Sequence, residues 1–172
     1  MTEFVLALAA AVVGGVVAWR VWSGKKSRHR IRTDFFEAVR LAMLRVMLVD
    51  GSVGEAELET AANIFRQVTG EIVSPEQIRA DADVVLSGSR RLEDALGDVG
   101  PHLNVNGRGV VVQAALLVAL ADGNFGPGEQ ELLQDMSRAI GLTDEEFRAA
   151  IGEVMQAHDD AVAAAERAQR ED

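Results

Sequence analysis

Apolar residues recur at helical spacing along most of the chain. Between Thr33 and Asp50 the positions Phe36, Val39, Met43, Leu44, Met47 and Leu48 form one stripe, broken only by Arg40. That spacing predicts a helix over 32–49. Further helices are predicted at 55–69, 75–86, 89–98, 106–121, 127–140 and 143–168, separated by short polar linkers. Two of the starts carry capping signatures: Ser74-Pro75-Glu76-Gln77, with Pro at the first helical position, and the box Thr143-Asp144-Glu145-Glu146. The run from Val110 to Leu120 is apolar on every side and reads as a buried central helix. No stretch alternates with period two between hairpin turns, so strands are not expected. The predicted fold is all-α, a compact bundle of about seven helices.

The first apolar run is of a different kind. Phe4 to Trp22 spans 19 positions with Arg20 as the sole charge, and at 1.5 Å per residue it reaches about 28 Å, close to the hydrocarbon thickness of a bilayer. A transmembrane helix is expected within 1–24, with the lipid bilayer its partner through 4–22. Trp19 and Trp22 suit an interfacial belt, and Arg20 can snorkel to the headgroups. Lys25 and Lys26 open a basic juxtamembrane segment, 25–32, whereas Met1-Thr2-Glu3 carries no basic residue. This order opposes that of a secretory signal. The positive-inside rule then places the N-terminus outside and the remainder in the cytoplasm, as a single-pass protein of a bacterial inner membrane. Ala7, Ala11 and Gly15, and likewise Ala10, Gly14 and Ala18, recur every four residues, the pattern of a helix that pairs into a transmembrane homodimer.

Charge separates the two parts. Six of the 17 basic residues fall between Arg20 and Arg32, which leaves eleven basic against 26 acidic residues from Thr33 onward, a net of −15. So acidic a domain repels phosphate backbones, which argues against nucleic acid and in favour of cations or a protein partner. The chain has no Cys, excluding disulfides and thiol chemistry.

The most specific feature is an internal repeat. Val46-Met-Leu-Val-Asp-Gly-Ser-Val-Gly-Glu-Ala-Glu57 is echoed by Val118-Ala-Leu-Ala-Asp-Gly-Asn-Phe-Gly-Pro-Gly-Glu129. In each copy an apolar helix ends at Asp-Gly, a hydrophobic residue (Val53, Phe125) staples the turn, and a Gly (Gly54, Gly126) caps the next helix. Glu57 and Glu129 then occupy the third helical position, where a carboxylate reaches back to the cap N–H.

These paired Asp-Gly-x-hydrophobic-x-x-x-Glu turns resemble those of the TerB-like family, named for tellurite resistance, over about Thr33 to Asp160. A membrane helix directly before such a domain also resembles the N-terminal half of DjlA-like co-chaperones, but the His-Pro-Asp motif of a J domain is absent. The resemblance implies an all-helical domain over 33–160, built from pseudo-twofold paired helical hairpins and followed by a charged helical tail, 161–172. It further implies an acidic metal site or docking surface near the turns. The residues at the matching positions are Asp50, Glu57, Asp122 and Glu129, with Ca²⁺ or Mg²⁺ the cations suited to an oxygen-rich site. Capping accounts for both Glu residues, and a turn role for both Asp residues, without any metal. The implied function is a membrane-anchored binding module for protein interaction, divalent-cation sensing or a tellurite-type stress response. The alternative is a co-chaperone adaptor that recruits Hsp70 machinery with the J domain on another chain.

Other chemistry finds little support in the residues. An EF-hand needs Gly and Glu where the first turn has Glu55 and Ala61 and the second has Pro127 and Leu133. His29, His102 and His158 lie far apart, without the spacing of a helical zinc site. Gly107-Arg-Gly109 and Gly24-Lys-Lys-Ser27 each lack part of a phosphate-binding loop. No nucleophile with a base is signalled, and no enzyme activity is expected.

Overall fold

The first described helix of the bundle, α1 (Arg28–Met47), already includes residues 28–32 of the basic stretch. Arginine is a good helix former, so nothing in residues 28–32 stops the helix short of the apolar stripe. The structure, a computed structural model, describes residues 28–49, 53–87, 92–121 and 125–171. The proposed membrane segment, with Trp19, Arg20, Trp22, Lys25 and Lys26, lies outside them. Among the described residues no helix is long and apolar enough to cross a membrane.

Six further helices follow: α2 (Glu55–Thr69), α3 (Pro75–Leu86), α4 (Leu92–Val99), α5 (Val105–Ala121), α6 (Pro127–Ala139) and α7 (Asp144–Glu171). The described residues thus form the expected all-α architecture of seven helices. A short 3₁₀ turn, Gly100–His102, joins α4 to α5, and the periodicity gives no hint of it. Pro101 fits there because the first turn needs no N–H from it. Several helix ends have a local cause. Ser74 Oγ accepts from the Gln77 N–H at 3.2 Å, and Asn104 Oδ1 accepts from the Gly107 N–H at 2.8 Å. At the other ends, Gly70 (φ 74°) and Gly141 (φ 85°) take the left-handed conformation that stops α2 and turns the chain after α6.

Packing follows from the two most apolar faces. The nearly all-buried α5 lies along α1, and Phe35, Val39, Leu44, Val111, Val112 and Leu116 are among the residues shut away from solvent between the helices. Burying a side chain of this size fully is worth about 1.5–3 kcal/mol, so the α1–α5 pair is the stable centre of the fold. Directions can be read from individual contacts. His102, just before α5, pairs with Asp34 near the start of α1 (Nδ1 to Oδ2 2.9 Å), so the two central helices run parallel. Helix α2 returns antiparallel to α1, with the Phe36 and Phe65 rings edge to face at 6.2 Å. Helix α6 likewise returns beside α5, bringing Ile140 at its end against Gly100. Helix α7 then runs with α5: Gln113 Nε2, from within the core, donates to Ala150 O at 3.2 Å and to Glu153 Oε2 at 2.8 Å.

The expected interruption of the α1 stripe has a partner. Arg40 Nη1 lies 3.3 Å from Asp81 Oδ2, tying α3 to α1, and further along Arg32 pairs with Glu71 at 3.5 Å while its guanidinium sits 5.4 Å from the Phe36 ring centre.

Candidate functional site

Both repeated turns leave from one end of the bundle, because α1 and α5, which precede them, are parallel. Of the four carboxylates expected there, Glu57 and Glu129 are described, and Asp50 and Asp122 lie outside the described residues. The staple positions behave as the repeat predicts: Val53 and Phe125 are half-buried and packed on the core. Gly54 and Gly126 are the N-caps of α2 and α6, both with extended backbone, and Pro127 opens α6.

The two Glu side chains make the same bond. The Gly54 N–H donates to Glu57 Oε2 at 2.5 Å, and the Gly126 N–H donates to Glu129 Oε2 at 2.7 Å. Each carboxylate therefore faces the positive end of its helix and satisfies an otherwise orphaned donor. One oxygen of each is used in this way, and a carboxylate has further lone pairs with which to meet a cation. Helices α2 and α6 pack chiefly on the central α1–α5 pair rather than on one another. Among the described residues no three His, Asp or Glu side chains gather into a metal-binding group.

The same reciprocal cap appears in full at α7. The Thr143 N–H donates to Glu146 Oε2 at 2.8 Å and Thr143 Oγ1 accepts from the Glu146 N–H at 3.2 Å. Those bonds with Thr143 hold the Glu146 carboxyl below its ordinary pKa, and a hydrogen bond with Ser74 does the same for Glu76. Both are surface groups with a structural use.

At the opposite end lies a residue that motif reasoning passed over. Arg108, in the Gly107-Arg-Gly109 tripeptide, donates from Nε to Gly100 O (2.9 Å) and Leu103 O (3.1 Å) and from Nη1 to Gly141 O (2.8 Å). Its planar fork joins the 3₁₀ turn to the α6–α7 turn, a role that no local sequence pattern encodes. The His residues described are not grouped: His102 pairs with Asp34, and His158 lies far along α7.

Beside α2, a shallow groove of about 230 Å³ is lined by Glu59, Ala62, Asn63, Arg66, Ile72 and Pro75. It is smaller than the roughly 300–1,000 Å³ usual for a small-molecule pocket.

Set against known proteins, the model of the family described as tellurite resistance protein TerB matches residues 36–152, from the third turn of α1 to the third turn of α7. No curated protein and no solved structure gives a significant match, so neither comparison bears on the likeness to DjlA-like co-chaperones.

Proposed function

The chain belongs to the TerB family, and from that premise we propose that it is a tellurite-resistance-related binding module held at the bacterial inner membrane by residues 4–22. In this reading the helical bundle faces the cytoplasm and works through protein contacts and divalent-cation sensing, with no reaction of its own. The observation that carries the reading is the coincidence of the family match with both repeated turns: residues 36–152 include each Asp-Gly turn and each capping Glu. Support for the tether comes from the uncharged run Phe4–Trp19 and the basic flank after it. Support for cation binding comes from the excess of carboxylates, and from Glu57 and Glu129 each keeping an oxygen beyond its cap bond.

The test of cation binding is thermal unfolding of the chain from Arg28 onward, where α1 begins, under Ca²⁺ and Mg²⁺ titration. A ligand that binds only the folded state stabilises it by about 2.7 kcal/mol at a hundred times its dissociation constant. The reading requires such a shift, and requires it to vanish in Asp50→Asn combined with Asp122→Asn. No shift, or one that survives the double substitution, removes cation sensing from the proposal.

A further inference from the structure

The bundle has two unlike ends, and the end away from the repeated turns is the one from which α1 starts. Arg28, Arg30 and Arg32 fall within the first five residues of α1. Between Trp22 and Arg28 stand only five residues, which reach at most about 18 Å when fully extended. Antiparallel packing of α2 on α1 brings the α2–α3 connection to this same end, and the Arg32–Glu71 pair at 3.5 Å fixes it there. Beside Glu71 stands Ile72, 86% exposed and the most exposed large apolar side chain among the described residues. Arg66, also exposed, lines the groove next to it.

We infer that this end docks flat on an anionic lipid surface, with Ile72 entering the headgroup region beside Arg66 and the basic stretch that opens α1. The inference rests on the tether proposed above and adds an orientation to it. Of the carboxylates near this end, Glu71 is offset by Arg32, whereas Asp34 beside His102, Glu37 on α1, Glu76 on α3 and Asp98 on α4 oppose the attraction that the basic start of α1 and Arg66 supply. The acidic first turn of α7, with Asp144, Glu145 and Glu146, is at this end too. It packs on α5, which stands between it and α1, so the docking face is the α1–α2–α3 side alone. Basic residues near a bilayer gain from the negative surface potential within about a Debye length, and an apolar side chain among them adds burial. The 20 residues of α1 span about 30 Å, so Val49 and the C-terminal end of α1 are held on the side away from the lipid.

Because the chain contains no Cys, single labels are simple to place. Ile72→Cys and Val49→Cys, the latter at the far end of α1 and 44% exposed, are made in the full chain. Each carries an environment-sensitive fluorophore and is reconstituted in vesicles of phosphatidylcholine, with or without phosphatidylglycerol. Docking predicts that the label at 72 shifts to the blue and loses quenching by aqueous iodide when phosphatidylglycerol is present, and that high salt reverses both. The label at 49 stays in water throughout. If the chain floats with both kinds of vesicle but the label at 72 behaves like that at 49, docking is refuted and the tether stands. If the chain floats with neither, the tether itself has failed and docking falls with it. A label at 72 shielded equally in both lipids would mean that a neighbouring protein copy covers it, which also overturns the assignment.

Discussion

Gly100 sits where two helix ends meet, and replacing it separates two opposed effects of one methyl group. A Cβ built on Gly100 would lie 2.5 Å from Ile140 O, 3.0 Å from Ile140 C and 3.2 Å from its Cα. These are backbone atoms, so no side-chain rotation relieves the contact; the 3₁₀ turn or the end of α6 must move. Overpacking of this kind costs about 1–3 kcal/mol. At a helical position in open space the same Gly→Ala change gains about 0.4–1 kcal/mol by restricting the unfolded chain. Gly152, inside α7, is such a position, since a Cβ added there would meet nothing within 4 Å. Gly100→Ala is therefore expected to lower stability by about 1–3 kcal/mol, and Gly152→Ala to raise it by about 0.4–1 kcal/mol. For a domain of this size each kcal/mol moves the midpoint by roughly 2–4 °C. Circular dichroism during thermal and urea unfolding of the chain from Arg28 onward reads both changes. A Gly100→Ala protein as stable as the parent would refute the close approach of the 3₁₀ turn to α6, and with it the seating of α4.

Other substitutions probe the remaining contacts. Arg108→Lys is expected to destabilise by about 1–3 kcal/mol, nearly as much as Arg108→Met, because an ammonium cannot span the carbonyls of Gly100, Leu103 and Gly141 together; urea unfolding of the two variants compares them, and full rescue by Lys would contradict the clasp. Gln113→Leu should cost no more than about 1 kcal/mol, since the helical carbonyl of Ala150 and the exposed Glu153 each keep other partners, while Gln113→Ala should cost more by leaving a cavity. The lowered pKa of Glu146 means that its capping contribution is complete above the usual carboxylate range and is lost as pH falls through the depressed folded value. Thr143→Ala keeps the backbone N–H that lowers the Glu146 pKa most and removes only the hydroxyl, so it should move the Glu146 titration part of the way up toward 4.5, as read by carboxyl NMR, and no movement would remove the hydroxyl as a contributor.

Much of this fold is written in local signals. The Ser74 and Thr143 caps, Pro127 at the start of α6 and the apolar run of α5 all depend on neighbours within a few residues, and their helices lie within a few residues of where periodicity places them. Helix α1 includes residues 28–31, ahead of its predicted start, for a physical reason: polar helix formers such as Arg extend a helix beyond its apolar stripe without leaving a periodic trace. Long-range features were less accessible. Arg108 clasps carbonyls up to 33 residues away, and Gly100 is required by a backbone that arrives from Ile140. Neither has a motif. At the repeated turns the sequence points to four carboxylates, and the described geometry accounts for two of them as caps. The capping role of Glu57 and Glu129 was legible because it is an i, i+3 relation, whereas convergence of the four depends on how the hairpins sit together.

The reading proposed above is of a membrane-held, tellurite-resistance-related TerB-family module that senses divalent cations through Asp50 and Asp122. The most direct measurement is the tellurite concentration that arrests growth of bacteria lacking the chain, compared with cells expressing it whole, without residues 4–22, or with Asp50→Asn and Asp122→Asn together. The account predicts that the whole chain raises the arresting concentration and that both altered forms, present at equal abundance, do not. Growth arrest at the same concentration in all four strains would contradict it.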